Sequence, residues 1–81
     1  MKLNILFFAS LKERVGAKHL TVEMQEGTRV LDLRDRLAKE YPDAGQSLRV
    51  CLVALNRHFA VDEDLIPSES EVAFFPPVSG G

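Results

Sequence analysis

TRVLDLRDRLAKEY, from Thr28 to Tyr41, carries the longest helical periodicity in the chain. Val30, Leu33, Leu37 and Tyr41 recur at three- and four-residue intervals and form one apolar stripe, while Arg29, Arg34, Arg36, Lys39 and Glu40 fill the remaining surface. Thr28 is the expected N-cap and Pro42 the stop, with a loop from Asp43 to Ser47. A single amphipathic helix must lay its stripe on another element, and the segments on both sides of it read as strands.

On the N-terminal side, Leu3, Ile5 and Phe7 alternate with Lys2, Asn4, Leu6 and Phe8. The second set begins polar and ends apolar, so the far end of that face is available to a partner. Ser10 and Glu13 have capping-box spacing for a short helix that sets Leu11 and Val15 on one side and stops at Gly16. His19, Thr21 and Glu23 alternate with Leu20, Val22 and Met24 in a second, half-buried strand closed by Gly27.

On the C-terminal side, Leu48 to Leu55 is the most continuously apolar run and reads as a central strand with Arg49 its only charge. Cys51 within it is a small buried residue, because no neighbouring base or cation in the sequence would activate its thiol. Asn56, Arg57 and His58 make a turn into a short strand from Phe59 to Val61. Asp62, Glu63 and Asp64 lack the spacing of a calcium loop and read as a solvated turn. After the turn at Pro67 to Ser70, the last strand sets Val72 and Phe74 on one face and Ala73 and Phe75 on the other.

Strand, short helix, strand, long helix and three more strands give an α+β domain resembling the ubiquitin-like β-grasp. Its expected form is a mixed five-stranded sheet packed on one main helix, with an additional short helix. The β-grasp domain spans residues 1–75, and residues 76–81 form a flexible C-terminal tail.

The chain has 81 residues, enough for one modest core but with little room for a complete catalytic pocket. A net charge of -2 with no Lys/Arg block argues against nucleic acid, and a single cysteine allows no internal disulfide or cysteine metal cluster. No apolar run is long enough to span a bilayer and no secretory leader is expected, so no membrane partner and a cytoplasmic location are the expectations.

The chemistry is concentrated in EVAFFPPVSGG, from Glu71 to Gly81. Two prolines end the strand and favour an extended path. Gly80 and Gly81 lack Cβ atoms, so they can enter a narrow channel and leave the terminal acyl carbon open to attack. A carboxylate is a poor acyl donor until ATP converts it to an acyl-adenylate, after which sulfur or an amine can displace AMP. No phosphate-binding glycine loop and no cysteine near the tail are present, so partner enzymes must perform the activation.

LFFASLKERVG at Leu6 to Gly16, Leu55-Asn56 at a strand end, and above all FFPPVSGG make the chain resemble the sulfur-carrying small subunit of molybdopterin synthase, in the MoaD/ThiS-like ubiquitin-related family. The resemblance covers essentially the whole chain. It implies adenylation of Gly81 by an E1-like adenylyltransferase using ATP, then conversion to a thiocarboxylate with sulfur from a persulfide donor system. Gly81 would be the covalent carrier and Gly80 the second slender link for tail passage. No cofactor would be stably bound and no metal held. The partner would be the large synthase subunit, in a heterotetramer with two small subunits, where cyclic pyranopterin monophosphate receives the dithiolene sulfurs. Phe8, Phe59 and Phe75 match positions that contact that subunit.

Ser68-Glu69-Ser70 departs from the Gly-Asp frequent in the family's turn, and Lys12 stands where an arginine is common. The alternatives are a sulfur carrier for thiazole or cysteine synthesis, a ubiquitin-like modifier joined to protein lysines, and a non-covalent binding module.

Overall fold

The computed structural model describes residues 1–77. Its elements are β1 (Lys2–Phe7), α1 (Ser10–Val15), β2 (His19–Glu23), α2 (Val30–Glu40), α3 (Gly45–Val50), β3 (Leu52–Leu55), β4 (His58–Ala60) and β5 (Glu71–Phe75). The strands form one mixed sheet in the order β2-β1-β5-β3-β4. β1 and β5 pair in parallel, and every other neighbouring pair is antiparallel. The first and last strands therefore lie at the centre, and α2 covers one face, which is the β-grasp arrangement.

The alternation in β1 explains its central place. Leu3, Ile5 and Phe7 point into the core with Val72 and Phe74 of β5, and Val30, Leu33 and Leu37 of α2 close over them. Phe7 and Phe74 stack with centroids 5.7 Å apart. Gly16 stops α1 in the left-handed region at φ 84°, where its N–H donates to the Lys12 carbonyl.

The helical content differs from the sequence reading. Leu48 to Val50 is the end of α3, not the start of a strand, and β3 begins only at Leu52. Helical geometry lets Leu48 bury fully and presents its carbonyl to the Arg34 guanidinium at 2.8 Å. A Cβ built on Gly45 would stand 3.4 Å from the Ala38 carbonyl oxygen, so α3 lies close against α2. Two short helices thus accompany α2 instead of one, and the predicted loop at Asp43 to Ser47 is replaced by a 3-10 turn, Pro42–Ala44, running into α3.

The caps also differ. Arg29, not Thr28, is the N-cap of α2, and its N–H donates to Asp32 Oδ2 at 2.9 Å. Thr28 turns its hydroxyl back to the Gln25 carbonyl at 2.6 Å. Ala9 precedes α1 with no side-chain cap, so the Ser10–Glu13 box does not form. β4 ends at Ala60, one residue short of Val61.

Arg34 is the largest departure, because a residue assigned to the polar side of α2 is only 8% exposed. It lies four residues after Val30 and three before Leu37, hence on the buried stripe. Its Nε donates to Asp62 Oδ1 at 2.8 Å and its guanidinium also meets the Leu48 carbonyl. The acidic turn is accordingly a structural link instead of a merely solvated loop. The Val30 and Leu31 N–H groups, unsatisfied within the first turn of α2, donate to the Asp64 and Asp62 carbonyls at 3.0 and 3.1 Å.

Candidate functional site

The face of the sheet opposite α2 carries the candidate site. Strand register sets Leu6 beside Ala73, Ala73 beside Ala54 and Ala54 beside Phe59, a row crossing β1, β5, β3 and β4. Two alanines at the middle of that row leave a depression where larger side chains would fill the sheet surface. Phe8, Phe59 and Phe75 stand around it together with Arg57 and Glu71, and the groove has a volume of about 420 Å³.

The three rings touch in sequence. Phe8 and Phe75 stack with centroids 4.7 Å apart and an 8° interplanar angle, and Phe59 meets Phe75 edge-on at 6.4 Å. Phe75, half-buried between the other two, is the hub. Phe8 remains 40% exposed and Phe59 76% exposed. Clustered, exposed aromatic surface of this kind marks interaction sites on small domains.

Local backbone chemistry holds the hairpin that carries Phe59. Asn56 and Arg57 have φ values of 49° and 73°, the left-handed pair that a two-residue hairpin turn needs. The Asn56 side-chain oxygen accepts the Glu71 N–H at 2.9 Å, and the Asn56 N–H donates to the Glu71 carbonyl at 2.8 Å. These two bonds tie the hairpin to the start of β5. β5 in turn ends at Phe75, with Pro76 half-buried and Pro77 exposed. The predicted carrier residues Gly80 and Gly81 lie outside the described residues.

Cys51 is buried, and its thiol lies 3.3 Å from the Leu48 carbonyl and 3.4 Å from an Arg34 nitrogen. Burial pushes its pKa up, and the nearby guanidinium offsets only part of that rise. A thiol kept neutral in the core is a packing residue, not a nucleophile. His58 is exposed at the hairpin, and no group of three or more His, Cys, Asp or Glu side chains among the described residues is placed to hold a metal ion.

Sequence reading singled out the three phenylalanines but overlooked Ala54 and Arg57 as parts of this surface. The available signal was the outward alternation of Leu52 and Ala54 in β3, which a strand starting at Leu48 obscured.

The profile of the ThiS family matches residues 5–81. The chain belongs to the ThiS family. Among its relatives, the molybdopterin synthase sulfur carrier subunit of Chlamydomonas reinhardtii is 30% identical, with all of both chains covered. Small archaeal modifier protein 1 from Haloferax volcanii superposes with a TM-score of 0.84 at 27% identity, again over all of both chains. A chain from the protein–protein complex of subunits 1 and 2 of the molybdopterin-converting factor of Helicobacter pylori superposes with a TM-score of 0.70 at 23% identity, covering all of both chains. The family match over residues 5–81 and the β-grasp fold of residues 1–77 therefore agree.

Proposed function

We propose that this chain is the sulfur carrier subunit of molybdopterin synthase. The observation that carries the reading is continuity: the aromatic face ends on Phe75, and from that residue the chain runs directly into Pro76, Pro77 and the glycine-ended arm. A docking surface and a carrier group are consecutive on one central strand. Full-length similarity to curated sulfur carrier subunits supports the same conclusion.

In this reading the domain, residues 1–75, docks through Phe8, Phe59 and Phe75 on the large synthase subunit, and residues 76–81 are the carrier arm that reaches its active site. An E1-like adenylyltransferase joins the Gly81 carboxylate to AMP from ATP and releases pyrophosphate. The terminal sulfur of a donor persulfide then attacks the acyl carbon and AMP leaves. Reductive cleavage of the acyl persulfide by a second thiol leaves the thiocarboxylate on Gly81 and a disulfide on the donor. Gly80 supplies the slender segment behind it. The thiocarboxylate sulfur bonds to a side-chain carbon of cyclic pyranopterin monophosphate in the large subunit as a C–O bond of that substrate breaks, and water then cleaves the resulting thioester, leaving the sulfur on the pterin and returning the Gly81 carboxylate.

Two carriers per synthase, forming a heterotetramer, supply the two dithiolene sulfurs. The complex of subunits 1 and 2 from Helicobacter pylori supports a large-subunit partner of this kind. No helix among the described residues is long and apolar enough to cross a membrane, and we place the cycle in the cytoplasm.

Intact-mass measurement tests the carrier cycle. Incubation with the adenylyltransferase, ATP and persulfide donor should raise the mass by the difference between sulfur and oxygen, and adding the large subunit with pyranopterin should reverse it. A variant lacking Gly80 and Gly81 should show no change. The structural likeness to a small archaeal modifier favours a second reading, attachment through Gly81 to protein lysines. Conjugates to lysine with no thiocarboxylated species would establish that reading in place of sulfur transfer.

A further inference from the structure

Phe59 stands on the least supported strand of the sheet. β4 has three residues and, among the described residues, pairs with β3 alone and leaves its other edge open. Short edge strands with one partner are the first parts of a sheet to open. Yet Phe59 must hold its edge contact with Phe75 for the three rings to present one surface.

Behind β4 lies a hollow of about 350 Å³ lined by Arg34, Leu52, Val53, Phe59, Ala60 and Val61. Arg34 supplies the only charged side chain among the described residues in that lining. Its guanidinium reaches forward to Asp62, two residues past the end of β4, and sideways to the Leu48 carbonyl in α3, the helix that leads into β3. One side chain on α2 therefore ties the segment that follows β4 to α3, the helix that leads into β3. Asp64 completes the turn by accepting the Val61 N–H at 2.9 Å on its carboxylate. Lysine could not replace Arg34, because a single ammonium lacks the planar fork that meets two acceptors in different directions.

We propose that Arg34 and Asp62 form a positioning pair that fixes β4 from the helical side and thereby sets Phe59 in the partner-docking face. Neither residue belongs to that face. The inference rests on the reading of Phe59 as an anchor for the large synthase subunit, but its structural half can be measured without any partner.

Asp62→Ala is the variant of choice, since its carboxylate is partly exposed and removing it leaves the Leu48 bond of Arg34 in place. In the free full-length protein, this variant should speed amide exchange in β4 about tenfold or more, and weaken the ring-proton contacts between Phe59 and Phe75, while α1 and β2 stay protected. Arg34→Lys should do the same if it folds. Unaltered exchange and ring contacts in Asp62→Ala would overturn the proposal whatever the partner does.

Binding to the large synthase subunit provides the second arm. Asp62→Ala should weaken binding about three- to tenfold in the parent chain and less than about twofold in a Phe59→Ala background. Equal losses in both backgrounds would also overturn the pair's role. Normal binding by Phe59→Ala would instead remove Phe59 from the anchor set, with exchange and ring contacts still deciding whether the pair holds β4.

Discussion

A buried thiol beside a guanidinium is pulled in two directions, and at Cys51 burial wins, so the thiol pKa lies above its ordinary value. The native state therefore keeps the thiol proton at pH values where the unfolded chain has begun to lose it. The stabilisation from the neutral thiol is complete below the unfolded pKa, about 8.5, and is lost as pH rises toward the folded one. Urea unfolding between about pH 8 and 10 should accordingly show a steeper loss of stability in the parent than in Cys51→Ala. Parallel curves would mean that the thiol meets a solvent-like environment. Arg34 shows why a single residue can mislead: its charge suggests water, while its spacing from Val30 and Leu37 sends it inward, where it finds acceptors on α3 and after β4.

Among the elements, α2 contributes much of the cohesion, because Val30, Leu33 and Leu37 are all fully buried against the central strands. Leu37→Ala should cost about 2–5 kcal/mol of stability through lost burial and the cavity left behind. Leu31 sits on the same helix but is exposed, and Leu31→Ala should change stability by less than about 0.5 kcal/mol. Chemical denaturation of the two variants checks the contrast, and comparable losses would contradict the observed face of α2. The α3 segment shows how an element escapes its local pattern. Leu48 to Leu55 is uniformly apolar enough for a strand, but packing against α2 favours helix as far as Val50.

For the whole molecule, the two faces of the sheet divide the work: one is the core beneath α2, and the other presents the aromatic groove whose central strand continues into the arm. Paired truncation Phe8→Ala/Phe75→Ala removes the stacked rings and should weaken association with the large synthase subunit about 30-fold or more, measured by titration calorimetry. Circular dichroism should show the β-grasp retained, since Phe7 and Phe74 fill the opposite face. Wild-type affinity in the folded double variant would exclude this groove as the docking surface.

The sequence by itself determined the alternation of β1 and β5, the buried stripe of α2, the stop at Gly16 and a turn beginning at Asn56, although His58, read as part of that turn, opens β4; each follows from side-chain period or backbone preference within a few residues. It also carried the family resemblance in FFPPVSGG. Tertiary structure alone decided that Leu48 to Val50 would be helical, which acceptors the Arg34 guanidinium would meet and that Ala54 and Ala73 would floor a groove. Those outcomes depend on acceptors, packing partners and strand register supplied by distant segments, and local periodicity contains no information about which distant groups meet.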